Sequence, residues 1–459
     1  MSSTANNKDR PSSGEAAPAG FARHEPRIGF FGLFGSGNFG NDASLEAMIG
    51  IVRRARPEAR LVCYCDGPQP VRERLGIDAV AMKAPDVGGS TALRRLRSVL
   101  LAVPHFFHAL FRLWRLDVLI VPGTGILDDF RSGPLGIPLD LFTWCLAARL
   151  TQTPVWFVSI GAGPITHPLS RWLMVRAAKL AQFRSYRDTN SKLFLTRAGV
   201  DTGSDLVVPD LAFQLPRPDS VPMRAPEEPF TVGIGVMAYW GWNDSVESSS
   251  IHGSYQDRLS RFCAWLLEKG HRIRLLSGDD MDHAAIRSLT ALVEVRLSDP
   301  SLIGSVLAEP AHTLADVMAQ IAGTDVVVAT RYHSIVCALK MGKPTISLSY
   351  AEKNAALLED AALGSYVDHV EDFDIERLKA RFEELVAERA TLVPSIAAFG
   401  ALTKKRLQNQ EELLRAGLHG HLPETYFALG GKGAGSAGRY PGRADSASCR
   451  TSMRARKGF

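Results

Sequence analysis

Arg331 and His333 flank Tyr332 in the stretch Thr330-Arg331-Tyr332-His333-Ser334, directly after the apolar run of residues 325–329. Such a run after an acid reads as a short buried parallel strand. Residues 334–341 then place Ile335, Val336, Ala338 and Leu339 at helical spacing, Gly342 ends the helix, and residues 344–349 read as the next strand. A guanidinium and an imidazole therefore stand where a strand gives way to a helix, the edge of an α/β sheet where ligands collect. A positive charge and a proton donor beside a helix N-terminus suit an anionic substrate that must be protonated. The same residue types can serve the fold alone, as an Arg capping a carbonyl and a satisfied core His. Lys353, in Tyr350-Ala351-Glu352-Lys353, favours the chemical reading. It follows the very next strand, so the two cations should face one crevice.

The elements that must position these residues alternate along the chain. Residues 28–33 read as a strand, followed by the turn Gly35-Ser36-Gly37-Asn38-Phe39-Gly40 and a helix over 41–56. Strands follow at 61–65, 117–121, 155–160 and 183–186, with a helix at 170–180, and each strand ends in a Gly-rich or polar turn. The segment 216–229 is rich in proline and mixed charge and reads as a linker. Beyond it the alternation resumes, with strands at 230–236 and 271–277, a further strand at 302–307, and helices at 255–270 and 313–322. Strands alternating with helices mean parallel sheets covered on both faces. The expected fold is α/β, with two doubly wound Rossmann-like domains, 27–215 and 230–372, facing a cleft. Residues 373–416 should form a charged amphipathic helical segment packing back across both. Residues 1–26 read as a disordered leader and 430–459 as a disordered basic tail.

Composition narrows the function. The formal charge is +5, but residues 431–459 carry seven Lys or Arg against Asp445, a net +6, which leaves −1 for the rest. A chain whose folded part has no basic bias is a poor nucleic-acid binder. The six cysteines show no C-x-x-C and no Cys/His cluster at zinc spacing, so neither a metal nor a disulfide framework is expected. Cys63 and Cys65 share one face of a strand and read as core. The leader lacks an apolar signal-peptide region and no run of eighteen apolar residues exists, so a cytoplasmic protein is expected. Residues 93–114 join apolar bulk to Arg94, Arg95, Arg97, Arg112 and Arg115. They fit a crossover helix packed on the sheet, the preferred reading, or a helix lying on an anionic membrane surface.

Gly35-x-Gly37-x-x-Gly40 after a strand and before a helix has the form of a dinucleotide-binding turn. Asn38, Asn41 and Asp42 argue against that use, because a pyrophosphate wants bare backbone and Asp42 would repel it. These side chains suit a sugar, or a loop that must be held.

Taken in order, several motifs resemble the polysaccharide pyruvyl transferases. They are Asn38-x-Gly40-Asn41-Asp42, Val121-Pro122-Gly123-Thr124-Gly125, Ile160-Gly161-Ala162-Gly163-Pro164 and Tyr186-Arg187-Asp188-x-x-Ser191. Pro209-Asp210-Leu211-Ala212-Phe213, Arg331-x-His333 and Gly342-Lys343-Pro344 with Tyr350-x-x-Lys353 continue the series, which spans roughly residues 27–370. Two details depart from the family pattern: Asn41 is inserted before Asp42, and Pro122-Gly123-Thr124-Gly125 stands where Gly-Gly-Gly is common. The family resembles two-domain glycosyltransferases of the GT-B type. The resemblance implies transfer of pyruvate from phosphoenolpyruvate onto a sugar, usually as a ketal across two hydroxyls. Phosphoenolpyruvate is then a donor substrate, and no cofactor is called for. Its phosphate and carboxylate need cations, for which Arg331, Arg187 and Lys353 are the candidates. His333 is the candidate general acid. Asp42 is the candidate to take a proton or hold an acceptor hydroxyl, with Asn38, Gly40 and Asn41 on the acceptor side. Asp210 reads first as a structural cap. The family's habit is a lipid-linked or repeat-unit acceptor for an exported polysaccharide, which would bring the enzyme to the inner face of the membrane. A nucleotide-sugar glycosyltransferase, a nicotinamide oxidoreductase and a non-catalytic sugar-binding protein stay open as alternatives.

Overall fold

Among the described residues, thirteen strands fall into two parallel sheets whose order reverses once in each, and that reversal creates the site. The computed structural model describes residues 25–83, 103–130, 132–218, 229–241 and 248–420. The expected leader and tail, most of the linker and the first half of the 93–114 segment lie outside the described residues.

The first sheet holds β1 (Arg27–Gly32), β2 (Arg60–Cys65), β3 (Asp78–Ala81), β4 (Val118–Pro122), β5 (Val155–Ile160), β6 (Phe183–Tyr186) and β7 (Leu206–Val207), in the order β3-β2-β1-β4-β5-β6-β7. Ile28 of β1 lies opposite both Leu61 and Val118, so β1 is central, and the chain reverses direction of travel between β1 and β4. Strands β4 and β5 are buried at every residue, the pattern of a parallel sheet covered on both sides. The covering helices are α1 (Phe39–Ala55), α2 (Pro68–Leu75), α3 (residues 103–113), α4 (Ile137–Leu150), α5 (Pro168–Leu180) and α6 (Thr189–Arg197). Asn38 caps α1 by accepting the Asn41 N–H, and Asp188 caps α6 by accepting the Ser191 N–H. The short amphipathic run of α6 is carried by that cap.

The second sheet repeats the plan with β8 (Thr231–Gly235), β9 (Arg272–Leu276), β10 (Val306–Leu307), β11 (Val326–Ala329), β12 (Thr345–Ser349) and β13 (Val367–His369), ordered β10-β9-β8-β11-β12-β13. Its helices are α7 (Ser248–Glu268), α8 (Asp282–Arg296), α9 (Leu314–Ala322), α10 (Tyr332–Lys340) and α11 (Glu352–Asp360). The strand expected at 302–307 shrinks to its last two residues. Pro300 follows the Asp299 cap and opens a 3-10 turn, Pro300–Ser305, that uses up the rest. The segment expected to pack back is two helices, α12 (Ile375–Ala387) and α13 (Arg389–Leu418), bent by 81°.

Helix α13 returns to the first sheet. Gln410 accepts from Ser185 Oγ and donates to Ser159 Oγ, while Glu411 takes a bidentate pair from Arg54 of α1. One apolar core runs from Ile28 and Phe30 of the first sheet through Phe213 to Val326 and Ile335 of the second. A separate core on the first sheet's other face joins Trp144, Phe157 and Leu113. Among the described residues no single helix is long and apolar enough to cross a membrane.

Candidate functional site

His333 lies in the first turn of α10, just past the C-terminal end of β11, and leans across the cleft. Its imidazole packs on Gly40 in the first turn of α1, where an added Cβ would stand 1.8 Å from Nδ1. Only glycine permits that approach. The other ring nitrogen, Nε2, is 3.7 Å from Asp210 Oδ2. That is longer than a hydrogen bond, and both atoms are buried without a hydrogen-bond partner. Asp210 does serve as the expected cap, accepting the Ala212 N–H through Oδ1. Its second oxygen faces the site, a role the sequence reading ranked lower. Burial pushes the Asp210 carboxyl up, but His333, Arg187 and the Ala212 N–H outweigh it and hold the group below the ordinary carboxylate range.

Arg187 follows β6 and is brought to the same point. Its Nη1 is 3.6 Å from Asp210 Oδ2, its Nε 3.5 Å from Asp188 Oδ2, and its guanidinium lies 4.6 Å above the Tyr332 ring. Nε has no hydrogen-bond partner although the side chain is 4% exposed. Burial works against the Arg187 charge, but Tyr332, Asp210, Asp188 and Asp128 more than restore it. Gly161 makes the room, since a Cβ there would come within 2.4 Å of Nη2. The strand before it is bulged between Phe157 and Ile160, with Ser159 in the left-handed region at φ 52°. Gln410 and Ser185 hold that strained residue.

Lys353 opens α11 opposite these groups, its Nζ 5.0 Å from the centre of the Tyr350 ring. Asp128, beyond the Gly123-Thr124-Gly125 turn after β4, feels Lys353 and Arg187 as its cationic neighbours. Burial pushes its carboxyl up despite both. Sequence reasoning missed Asp128. Its only signal was its place after a Gly-rich turn at a strand's C-terminal end.

The structure does not bring every expected residue to this point. Arg331 is clamped by Asp282, which accepts from Nε at 2.9 Å and from Nη2 at 2.6 Å, while Nη1 is 3.7 Å from Asp279. Two thirds of its donor fork is spent inside its own domain, which leaves Nη1 for a ligand. Asp42 is also spoken for: Oδ1 accepts the Gly35 N–H at 2.7 Å and Oδ2 pairs with Arg74. It fixes the glycine turn, and its expected proton-taking role has no geometric support. Asn41 donates to the Leu33 carbonyl, a loop-holding contact. Asn38 reaches across to Asp279 at 3.2 Å, where Phe39 N–H donates to the Gly278 carbonyl and Asp280 N–H to that of Gly37. The glycine turn is thus laced to the second domain. Beside it Asn38, Phe130, Tyr239, Trp240, Asp279 and Arg331 line a cavity of about 190 Å³. A groove of about 520 Å³ between α7, α8 and α12 holds none of these residues. Among the described residues no three His, Cys, Asp or Glu are grouped to hold a metal ion.

Two doubly wound sheets with their strand ends converging on one polar site make a GT-B-like fold. The fold is similar to the S. aureus MnaA–UDP co-structure, at 12% identity over 86% of this chain and 97% of that one, TM-score 0.55. It is likewise similar to the glycotransferase of kitacinnamycin (12% identity, 87% and 100% covered, TM-score 0.54) and to Anabaena HepE in complex with UDP (14%, 86% and 100%, TM-score 0.52). At such identities the likeness is one of fold. No curated protein matches the chain. Residues 38–352 match the polysaccharide pyruvyl transferase family, and the chain belongs to that family of transferases.

Proposed function

We propose that the enzyme transfers pyruvate from phosphoenolpyruvate onto two hydroxyls of a sugar, forming a ketal and releasing phosphate. The carrying observation is the convergence of His333 Nε2 (3.7 Å) and Arg187 Nη1 (3.6 Å) on Asp210 Oδ2, at a point where His333 Nε2, Asp210 Oδ2 and Arg187 Nε are all buried without hydrogen bonds. Charged groups grouped at one point with atoms left over in this way fit a site whose partner is a ligand. His333, whose Nε2 lies 3.7 Å from Asp210 Oδ2, protonates the methylene carbon of the enol. The resulting cationic carbon is attacked by one acceptor hydroxyl, whose proton passes to His333. The second hydroxyl displaces phosphate and gives its proton to it, so the diol's two protons end on the new methyl and on phosphate. Arg187 and Lys353 supply positive charge for the donor's phosphate and carboxylate, with Arg331 Nη1 in support. Asn38 is the remaining acceptor-side candidate with a side chain in the cleft. A lipid-carried sugar is the acceptor class that suits the family.

A nucleotide-sugar transferase is the second reading, favoured by fold neighbours whose structures hold UDP. The cavity beside Arg331, about 190 Å³, argues against it, being below the roughly 300–1,000 Å³ of pockets for drug-sized ligands. Thermal unfolding with each donor separates the two. Phosphoenolpyruvate at 100 times its Kd should stabilise by about 2.7 kcal/mol, and UDP-sugars and NAD should not. Stabilisation by a UDP-sugar alone would replace the proposal with the second reading.

A further inference from the structure

Helix α3 is apolar over more than half of its circumference, and the fold uses only part of that arc. Its inward face carries Ala109 and Leu113, both fully buried, with Phe106 and Leu110 packed on the second core. Trp144 Nε1 donates to His105 Nε2 at 3.2 Å, and Thr153 Oγ1 donates to the Leu113 carbonyl at 3.0 Å, so the helix is firmly docked. Its outward face carries Val103, Phe107 and Phe111 at intervals of four, with Trp114 just past the last turn. They are 62, 63, 71 and 81% exposed. Spacings of three and four keep these side chains in one stripe. Crossover packing explains the inward face alone.

Charge says what the stripe is for. The exposed cations of α3–α5 and their ends are Arg115, Arg149, Arg171, Arg176 and Lys179. No exposed acid lies on these three helices. Their one carboxylate, Asp140, is buried beside His105 and Lys83. Asp117, the next acid along the chain, is exposed two residues beyond Arg115 and accepts the Arg27 N–H. A second copy of the chain would bring cations against cations across a two-fold axis, so self-association is disfavoured. An exposed stripe of aromatic rings ending in Trp, on a layer of helices that exposes Arg and Lys but no acid, has the composition of a helix lying at a headgroup boundary.

We propose that the outward face of α3 docks the enzyme on an anionic phospholipid bilayer, with Phe107, Phe111 and Trp114 entering the headgroup region and the arginines meeting lipid phosphates. The docking does not depend on which donor the enzyme uses. It is tested by co-sedimentation of the full chain with phosphatidylglycerol/phosphatidylcholine vesicles and with phosphatidylcholine alone. The full chain should partition onto the first and not the second. Phe107→Ser/Phe111→Ser/Trp114→Ser should weaken that partition at least tenfold with its Tm unchanged, because none of the three is buried. If the triple variant unfolds, Trp114→Ser alone, at the most exposed position, should still weaken binding severalfold. The Arg115→Glu/Arg149→Glu variant should lose the preference for phosphatidylglycerol. Every variant retains the +6 tail, so unchanged partition in the triple variant would assign vesicle binding to the tail and overturn the proposal. Failure of the full chain to bind phosphatidylglycerol vesicles would overturn it too. A fall in solution mass on substituting the stripe, without loss of vesicle binding, would make the face an interface between copies.

Discussion

At the scale of single residues, the site divides into groups free to act and groups already employed. His333 belongs to the first. His333→Asn keeps shape and polarity but removes the transferable proton, so turnover should fall by roughly 10²–10⁴-fold while phosphoenolpyruvate still raises the Tm. Retained turnover would remove His333 from the acid role. Arg331 belongs largely to the second group. Arg331→Ala strands the fully buried Asp282 carboxylate, and loss of one partner of a buried pair costs about 3–5 kcal/mol. Urea unfolding should show that loss whether or not donor binding changes. An unshifted midpoint would mean that the clamp does not hold the fold. Asp210 gives a pH signature. Its folded-state pKa is depressed, despite burial, by His333, Arg187 and a backbone N–H. A depressed carboxyl contributes stability that is present above its unfolded pKa, about 3.9, and is lost as pH falls through the folded value. Asp210→Asn should therefore flatten the fall of the urea midpoint below about pH 4 and slow turnover at neutral pH. An acid limb identical to wild type would contradict the pairing.

At the scale of elements, helix N-termini do the placing. The first turns of α1, α10 and α11 deliver Gly40, His333 and Lys353 to one cleft because each helix follows the C-terminal end of a strand in a parallel sheet. The α1–α10 contact is the tightest of these. Gly40→Ala would put a methyl inside the imidazole's space, 1.8 Å from Nδ1, so the ring must swing away or the two helices must part. Overpacking of this kind costs about 1–3 kcal/mol. We expect at least a tenfold fall in kcat, because the acid is displaced, with the protein still folded at 25 °C. A Gly40→Ala enzyme of normal kcat would show that His333 can act from elsewhere.

At the scale of the whole molecule, the two sheets share one core and α13 ties them together. Gln410 is the buried knot, bonded to Ser185 on β6 and Ser159 on β5. Gln410→Ala leaves both hydroxyls short of a partner, at about 1–3 kcal/mol for the buried polar groups involved. The Ser159 bulge also positions the turn that admits Arg187, so donor affinity should fall along with stability. If the urea midpoint falls and phosphoenolpyruvate binding does not, α13 is a strap for the fold alone. Helix α3 acts at this scale too, since its inner face belongs to the core and its outer face is exposed.

Local pattern was enough for the alternation of strands and helices, the two doubly wound halves and the helical return. It was enough also for the residue types at the site, because periodicity and capping are properties of neighbouring residues. Arg187, His333 and Lys353 were legible for the same reason: each stands at a strand's C-terminal end, where parallel topology sends functional groups. Tertiary structure alone decided which partners those groups meet. Asp210 reads locally as a cap, and it caps, but its second oxygen found His333 across the cleft. Asp42 and Arg331 read as reactive charges until Arg74 and Asp282 proved to hold them. Asp128 carried no motif beyond its turn. The α3 segment forced a choice between core and surface that the fold did not have to make, since a helix has two sides and spacing alone does not say which is wet. A carboxylate's role depends on the charge within a few ångströms of it, and that distance is set by how the sheets dock.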